Sequence, residues 1–72
     1  MTMTNNLKEM REFKGLSQFQ LSKRADVNPA DISRLENGKI FAYPGWRKKI
    51  SEALGVTEIE IWPELEGGLH HG

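Results

Sequence analysis

The sequence lacks the residues that small proteins use as covalent or metal staples. It has no cysteine among its 72 residues, which excludes disulfides and thiolate metal sites. No apolar run approaches the roughly 18 residues of a membrane span, and the start lacks the basic-then-apolar pattern of a signal peptide. We therefore expect a cytoplasmic protein with no membrane partner and one small core, stabilised by tight local structure or by a partner.

Catalytic side chains are equally scarce. Both histidines, His70 and His71, lie in a Gly-rich C-terminal stretch, and there is no Gly-rich phosphate loop and no Ser/His/Asp arrangement. Two adjacent histidines without further ligands are far more typical of an unstructured tail than of a metal site. The sequence therefore predicts a protein that is not an enzyme and that holds neither a metal nor a cofactor.

Net charge is also absent, because ten Lys and Arg balance ten Asp and Glu. The balance hides a segregation along the chain. Residues 1–49 hold all ten basic residues and five acids, whereas residues 50–72 hold five acids and no Lys or Arg. The net charges of the two parts are therefore +5 and −5. A basic body favours a nucleic-acid partner, and charge alone leaves open the alternative of an unevenly charged, solvated surface.

Helical patterns cover most of the chain, and no strand-like alternation of useful length occurs. Asn6 followed by Glu9 has the spacing of a capping box, which predicts a first helix over about residues 7–14. Gly15 then supplies the left-handed residue that ends a helix.

Two short helices joined by a tight turn follow. Ser17 opens a second capping box and predicts a helix over about residues 18–24. Asp26 tolerates the positive φ of the turn. Asn28 caps the next helix, which runs to Glu36. This is the sequence outline of a helix-turn-helix.

The C-terminal part predicts two more helices. Apolar residues at helical intervals indicate a helix over about residues 46–54, and Thr57 caps a last short turn whose Ile61 and Trp62 point inward. Residues 64–72 show no periodicity and are predicted to form a disordered tail.

The central residues share a spacing that extends beyond the two-helix outline. They are Gln18, Leu21, Ser22, Ala25, Asp26, Val27, Ile32, Leu35, Glu36, Asn37 and Gly38. This pattern resembles the lambda-repressor/Cro type of helix-turn-helix domain, also called the xenobiotic-response-element type. Matching residues extend from Leu7 to Pro63. The resemblance implies an all-α fold, a compact bundle of five short helices that contains a helix-turn-helix.

The resemblance also divides the chain. Residues 1–5 are expected to form a flexible N-terminal arm, and residues 6–63 a helix-turn-helix DNA-binding domain with its motif at 18–37. Residues 64–72 remain as the tail.

Roles in DNA binding follow from the same resemblance, in which the third helix enters the major groove. The base-reading positions are Pro29, Ala30, Ser33 and Arg34. The residues expected to contact phosphate are Ser17, Gln18, Asn37 and Lys39. Arg11 and Glu36 occupy positions that form a structural ion pair in several relatives. Two of these roles also follow from physical chemistry. The N-terminus of the second helix attracts phosphate, and Arg34 can donate two hydrogen bonds to guanine.

The opening of the predicted reading helix is weakly polar. Pro29 and Ala30 offer only apolar contact, and Asp31 repels phosphate unless it accepts from a cytosine amine or caps its own helix. We therefore expect modest specificity per half-site, with a homodimer supplying the rest.

Two functions remain open at this point. The first is a sequence-specific DNA-binding transcriptional regulator, expected to be a repressor, that binds double-stranded DNA as a homodimer. Its candidate dimer surface is Ile59, Ile61 and Trp62. The alternative is a protein-interaction module or antitoxin-like adaptor that binds a protein partner through its acidic C-terminal region. Phe13, Phe19 and Phe41 fit the core faces least well, and exposed aromatics would mark a contact surface.

Overall fold

The computed structural model describes residues 5–65. Its five helices are α1 (Leu7–Phe13), α2 (Gln18–Ala25), α3 (Pro29–Glu36), α4 (Pro44–Leu54) and α5 (Glu58–Ile61). No strand occurs among residues 5–65, so the all-α, five-helix expectation is confirmed. Within that range no helix is long and apolar enough to cross a bilayer.

The start of α1 differs from the expectation. Asn6 makes no side-chain cap hydrogen bond, so the predicted box of Asn6 and Glu9 is wrong. Asn5 Oδ1 accepts from the Leu7 N–H at 2.9 Å instead. The reason is tertiary, because Asn6 is bonded to α5 instead. Its side-chain Nδ2 donates to the carbonyl of Glu60 at 3.2 Å, and its backbone N–H donates to the carbonyl of Ile61 at 2.7 Å.

Asn5 is consequently not part of a flexible arm. Its Nδ2 donates to the carbonyl of Leu35 at 2.8 Å and holds the chain against the end of α3. Residues 1–4, the rest of the predicted arm, lie outside the described residues.

The two central helices begin and end as the sequence predicts. Ser17 Oγ accepts from the Gln20 N–H at 3.0 Å, and the Ser17 N–H donates to Gln20 Oε1 at 2.8 Å, which completes the capping box. Asp26 adopts φ 57° in the left-handed region. Asn28 Oδ1 accepts from the Ala30 N–H at 2.8 Å. The turn that sets the angle between α2 and α3 is therefore encoded locally.

Helix α4 begins earlier than expected. Pro44 and Gly45 belong to its first turn rather than to the preceding loop, because proline has a helical φ and its missing N–H needs no partner at the first helical position. Arg47 then ties neighbouring segments together, donating through Nη1 to the carbonyl of Ala42 at 2.5 Å and through Nε to Glu58 Oε1 at 3.1 Å.

The core is formed by apolar side chains from all five helices and the turns between them. Its buried members are Leu7, Leu16, Leu21, Ala25, Val27, Ile32, Leu35, Ala42, Ile50, Leu54, Ile61 and Trp62. Ile61 and Trp62 point inward as predicted and are 0% exposed. They are therefore not part of a dimer surface, which corrects that assignment. Ile59, the third residue assigned to the surface, is 39% exposed.

The folded domain extends two residues beyond Pro63. Glu64 and Leu65 are helical, and the Leu65 N–H donates to the carbonyl of Trp62 at 3.0 Å. Leu65 packs against the core, which explains why the predicted tail does not start at residue 64. Residues 66–72 of that tail, with His70 and His71, lie outside the described residues.

Candidate nucleic-acid interface

The outer face of α3 is the candidate reading surface. Helical periodicity turns Ile32 and Leu35 into the core, where both are buried. The outward residues are Pro29, Ala30 and Arg34, which are exposed, and Ser33, which is half-buried. The four predicted base-reading residues thus share one face of one helix.

Arg34, the only cationic side chain among them, has a partner on its own helix. Its Nη1 lies 2.9 Å from Asp31 Oδ1, one turn earlier. The two side chains are 55% and 29% exposed, so the pair lies at the surface of α3. The sequence-based predictions for Asp31 did not include Arg34 as its partner, although the i, i+3 spacing of their opposite charges is typical of such a pair.

The predicted structural ion pair is present. Arg11 Nε lies 2.5 Å from Glu36 Oε2, and the side chains are only 10% and 3% exposed. Arg11 Nη1 also donates to the carbonyl of Leu16 at 2.7 Å. The hydrogen bond to Glu36 raises the pKa of the Arg11 guanidinium above its ordinary value, so the guanidinium stays charged. It locks the end of α3 to α1.

Glu36 also receives a hydrogen bond from α2. Gln18 Nε2 donates to Glu36 Oε1 at 2.9 Å. This contact places the N-terminus of α2 beside the C-terminus of α3, where Asn37 and Lys39 follow. Gln18 and these two residues, predicted separately to contact phosphate, are therefore brought to one region.

The other predicted phosphate contacts differ in how far their polar atoms are already engaged. Ser17 Oγ caps α2, and Asn37 Nδ2 donates to the carbonyl of Ser33 at 2.9 Å. Lys39 is exposed, and only its backbone N–H is used locally, donating to the carbonyl of Arg34 at 2.8 Å. Arg47, in contrast, is committed to Ala42 and Glu58 inside the fold. Lys39 is therefore better placed than Arg47 to neutralise a phosphate.

Several aromatic side chains stand outside the core, as the sequence analysis predicted for Phe13, Phe19 and Phe41. Phe19 lies beneath the ammonium group of Lys23, which is 5.0 Å from the ring centroid. Phe41 contacts Tyr43 edge to face, with centroids 4.9 Å apart. Between residues 5 and 65, no group of three or more His, Cys, Asp or Glu side chains is arranged to hold a metal ion.

A family model described as a helix-turn-helix domain matches residues 4–61. The chain belongs to the helix-turn-helix domain family. The match includes all five helices, so the resemblance drawn from the central motif is confirmed over nearly the whole described domain.

Solved structures that are similar to this helix-turn-helix domain include a controller protein and a gene regulator. The restriction-modification controller protein C.AhdI from Aeromonas hydrophila is 27% identical with a TM-score of 0.74, over 76% of this chain and 83% of that one. The clp gene regulator ClgR from C. glutamicum is 26% identical with a TM-score of 0.73, over 86% of this chain and 80% of that one. No curated protein matches the sequence.

Proposed function

We propose that this helix-turn-helix domain is a sequence-specific DNA-binding regulator that inserts α3 into the major groove and represses transcription from the site it occupies. The observation that carries the proposal is the outward face of α3, where Arg34 stands exposed on a helix whose opposite face is fixed in the core. An α-helix fits the major groove, and arginine recognises O6 and N7 of guanine. The solved structures similar to this domain include a controller protein and a gene regulator.

Phosphate contacts beside the reading helix support the same function. The N-terminus of α2 presents backbone N–H groups and the positive end of the helix dipole. Gln18 keeps a second amide N–H after donating one to Glu36. Lys39 adds a positive charge just beyond α3. Residues 1–49, which contain all of these groups, carry a net charge of +5.

A homodimer is part of the proposal. One α3 presents few discriminating side chains, because Pro29 and Ala30 offer only apolar contact. Two copies of α3 in successive major grooves double the number of base contacts and require half-sites about one helical turn, or ~34 Å, apart.

Selection of binding sites from a random DNA pool with the purified protein tests the proposal. We expect recovery of a palindrome with a guanine in each half-site. A pool that shows no enrichment after several rounds would contradict sequence-specific binding. A reporter promoter that overlaps the recovered site then tests repression, since expression of the protein is expected to lower its transcription.

The alternative of a protein-interaction module depends on the acidic C-terminal region. Two carboxylates of α5 already have partners within the domain, since Glu58 Oε1 accepts from Arg47 Nε at 3.1 Å and Glu60 Oε2 accepts from the Thr57 N–H at 2.7 Å. This favours the DNA-binding function over a module that recognises a partner protein through these acids.

A further inference from the structure

The pair of Arg34 and Asp31 leaves a defined part of the guanidinium available. A guanidinium has five N–H donors in one plane. Only Nη1 is bonded to Asp31 Oδ1, at 2.9 Å, so the edge formed by the Nε and Nη2 N–H groups remains open. Those two parallel donors can make a bidentate contact with O6 and N7 of guanine.

Asp31 also restricts the motion of Arg34. An unpaired arginine on an exposed helix face samples many rotamers and loses that freedom when it binds. The contact with Asp31 holds the guanidinium over the face of α3 before DNA arrives. A guanidinium held in this way loses less conformational freedom when it binds.

The charge of Asp31 acts on phosphate as well. The pair carries no net charge, so Arg34 attracts the DNA backbone less than a lone arginine would. A guanine base is uncharged, so the Asp31 carboxylate repels it less than it repels a phosphate. Asp31 therefore disfavours contacts of Arg34 with the backbone more than contacts with a base.

We infer that Asp31 is a specificity-determining residue, which acts through Arg34 by holding its Nε/Nη2 edge for guanine and by weakening its attraction to phosphate. This inference rests on the proposed DNA-binding function. It gives a role to the acidic residue in the opening turn of α3 that is otherwise unfavourable next to DNA.

The test compares the affinity for the selected site with the affinity for random DNA of equal length, measured for the wild type and for Asp31→Asn. The ratio of these affinities is the specificity ratio. Asparagine keeps the shape of the side chain and removes its charge. We expect binding to random DNA to strengthen and the specificity ratio to fall about fivefold or more, since a bidentate guanine contact discriminates at least that strongly.

Asp26→Asn is the matched control. Asp26 lies in the turn before α3, its side chain is 98% exposed, and Asn also tolerates its left-handed conformation. This variant removes the same charge without touching Arg34. We expect it to strengthen binding to both DNAs alike and to leave the specificity ratio unchanged.

A double mutant separates action through Arg34 from direct action. In an Arg34→Ala background, Asp31→Asn is expected to leave the specificity ratio unaltered. If Asp31→Asn lowers the ratio equally in both backgrounds, Asp31 contacts a base directly and the inference is wrong. An unchanged ratio in the single mutant overturns it as well. A wild-type protein that selects no DNA sequence contradicts the proposed function itself, which is a different outcome.

Discussion

Gln18 Nε2 lies 2.9 Å from Glu36 Oε1, so one carboxylate links the start of α2 to the end of α3. The same carboxylate is paired with Arg11 on α1. Because a carboxylate accepts only from the NH₂ end of an amide, the contact also fixes which end of the Gln18 side chain faces Glu36. Three helices are thereby held in register around the predicted phosphate-binding region.

Gln18→Ala is expected to weaken binding to DNA of every sequence. The proposed hydrogen bond from Gln18 to phosphate has a neutral donor and a charged acceptor, so its loss is expected to cost about 1.5–3 kcal/mol without altering the salt dependence. Titrations of the selected site and of random DNA at several salt concentrations measure both quantities. A loss confined to the selected site would assign Gln18 to base readout instead.

Lys39→Ala is expected to weaken binding to the selected site and to random DNA. It is also expected to reduce the salt dependence of the affinity by about one released counterion. The difference from Gln18→Ala arises because Lys39 carries a charge. The same titrations provide the measurement. An unchanged slope of log affinity against log salt would show that Lys39 makes no phosphate contact.

Arg34→Ala is expected to cost about 1–3 kcal/mol at the selected site and to relax the preference at one base pair of each half-site. Binding to random DNA changes much less, because Arg34 is already paired with Asp31. Repeating the site selection with the variant checks this. Recovery of the same site with the same preference would remove Arg34 from the reading role.

Arg11→Met is expected to lower the free energy of unfolding by about 3–5 kcal/mol, since it leaves the nearly buried carboxylate of Glu36 without its charge partner. Thermal and urea unfolding provide the measurement, and Arg24→Met, at an exposed position of α2, is the control. Adding Glu36→Leu to the variant is expected to restore part of the loss. Equal midpoints for Arg11→Met and the control would mean that the pair contributes little.

Low pH is expected to reduce the stability that the capping box at the start of α5 contributes. Hydrogen bonds from the backbone N–H of Thr57 at 2.7 Å and from its hydroxyl at 3.0 Å lower the pKa of Glu60 below its ordinary 4.5. A lowered pKa in the folded state means that the contribution to stability is present above pH 4.5 and is lost as the pH falls further.

Unfolding midpoints of the wild type and of Glu60→Gln across this pH range provide the measurement. We expect the wild type to be the more stable protein at neutral pH and the difference to shrink below pH 4.5. Glu52→Gln, at an exposed position of α4, corrects for the general effect of losing one carboxylate. A difference that stays constant with pH would contradict the role of the Glu60 charge.

Features within one short segment were predictable from the sequence. The capping box of Ser17, the left-handed turn at Asp26 and the cap at Asn28 all depend on residues within a few positions of each other. Their backbone conformations are restricted by steric and hydrogen-bonding preferences that neighbouring residues do not change. The pairing of Arg11 with Glu36 was predictable only through the family resemblance, because the partners are 25 positions apart.

The sequence did not show which of two similar neighbouring residues takes a given role, because tertiary contacts decide this. Asn5 and Asn6 are both asparagines and equally good caps, and the hydrogen bonds of Asn6 to Glu60 and Ile61 decided between them. Apolar residues near the C-terminus predicted a dimer surface. Ile61 and Trp62 are buried instead, because they pack into the common core of the domain.

The sequence by itself therefore determined the five helices, the turn of the helix-turn-helix and the outward face of α3, because these follow from local conformational preference and helical periodicity. Only the tertiary structure decided which polar groups meet. Gln18 and Glu36, 18 positions apart, lie within hydrogen-bonding distance only after α2 has packed against α3. The sequence predicted that Ile61 points inward, and only packing decided that it is 0% exposed and therefore unavailable to a dimer surface.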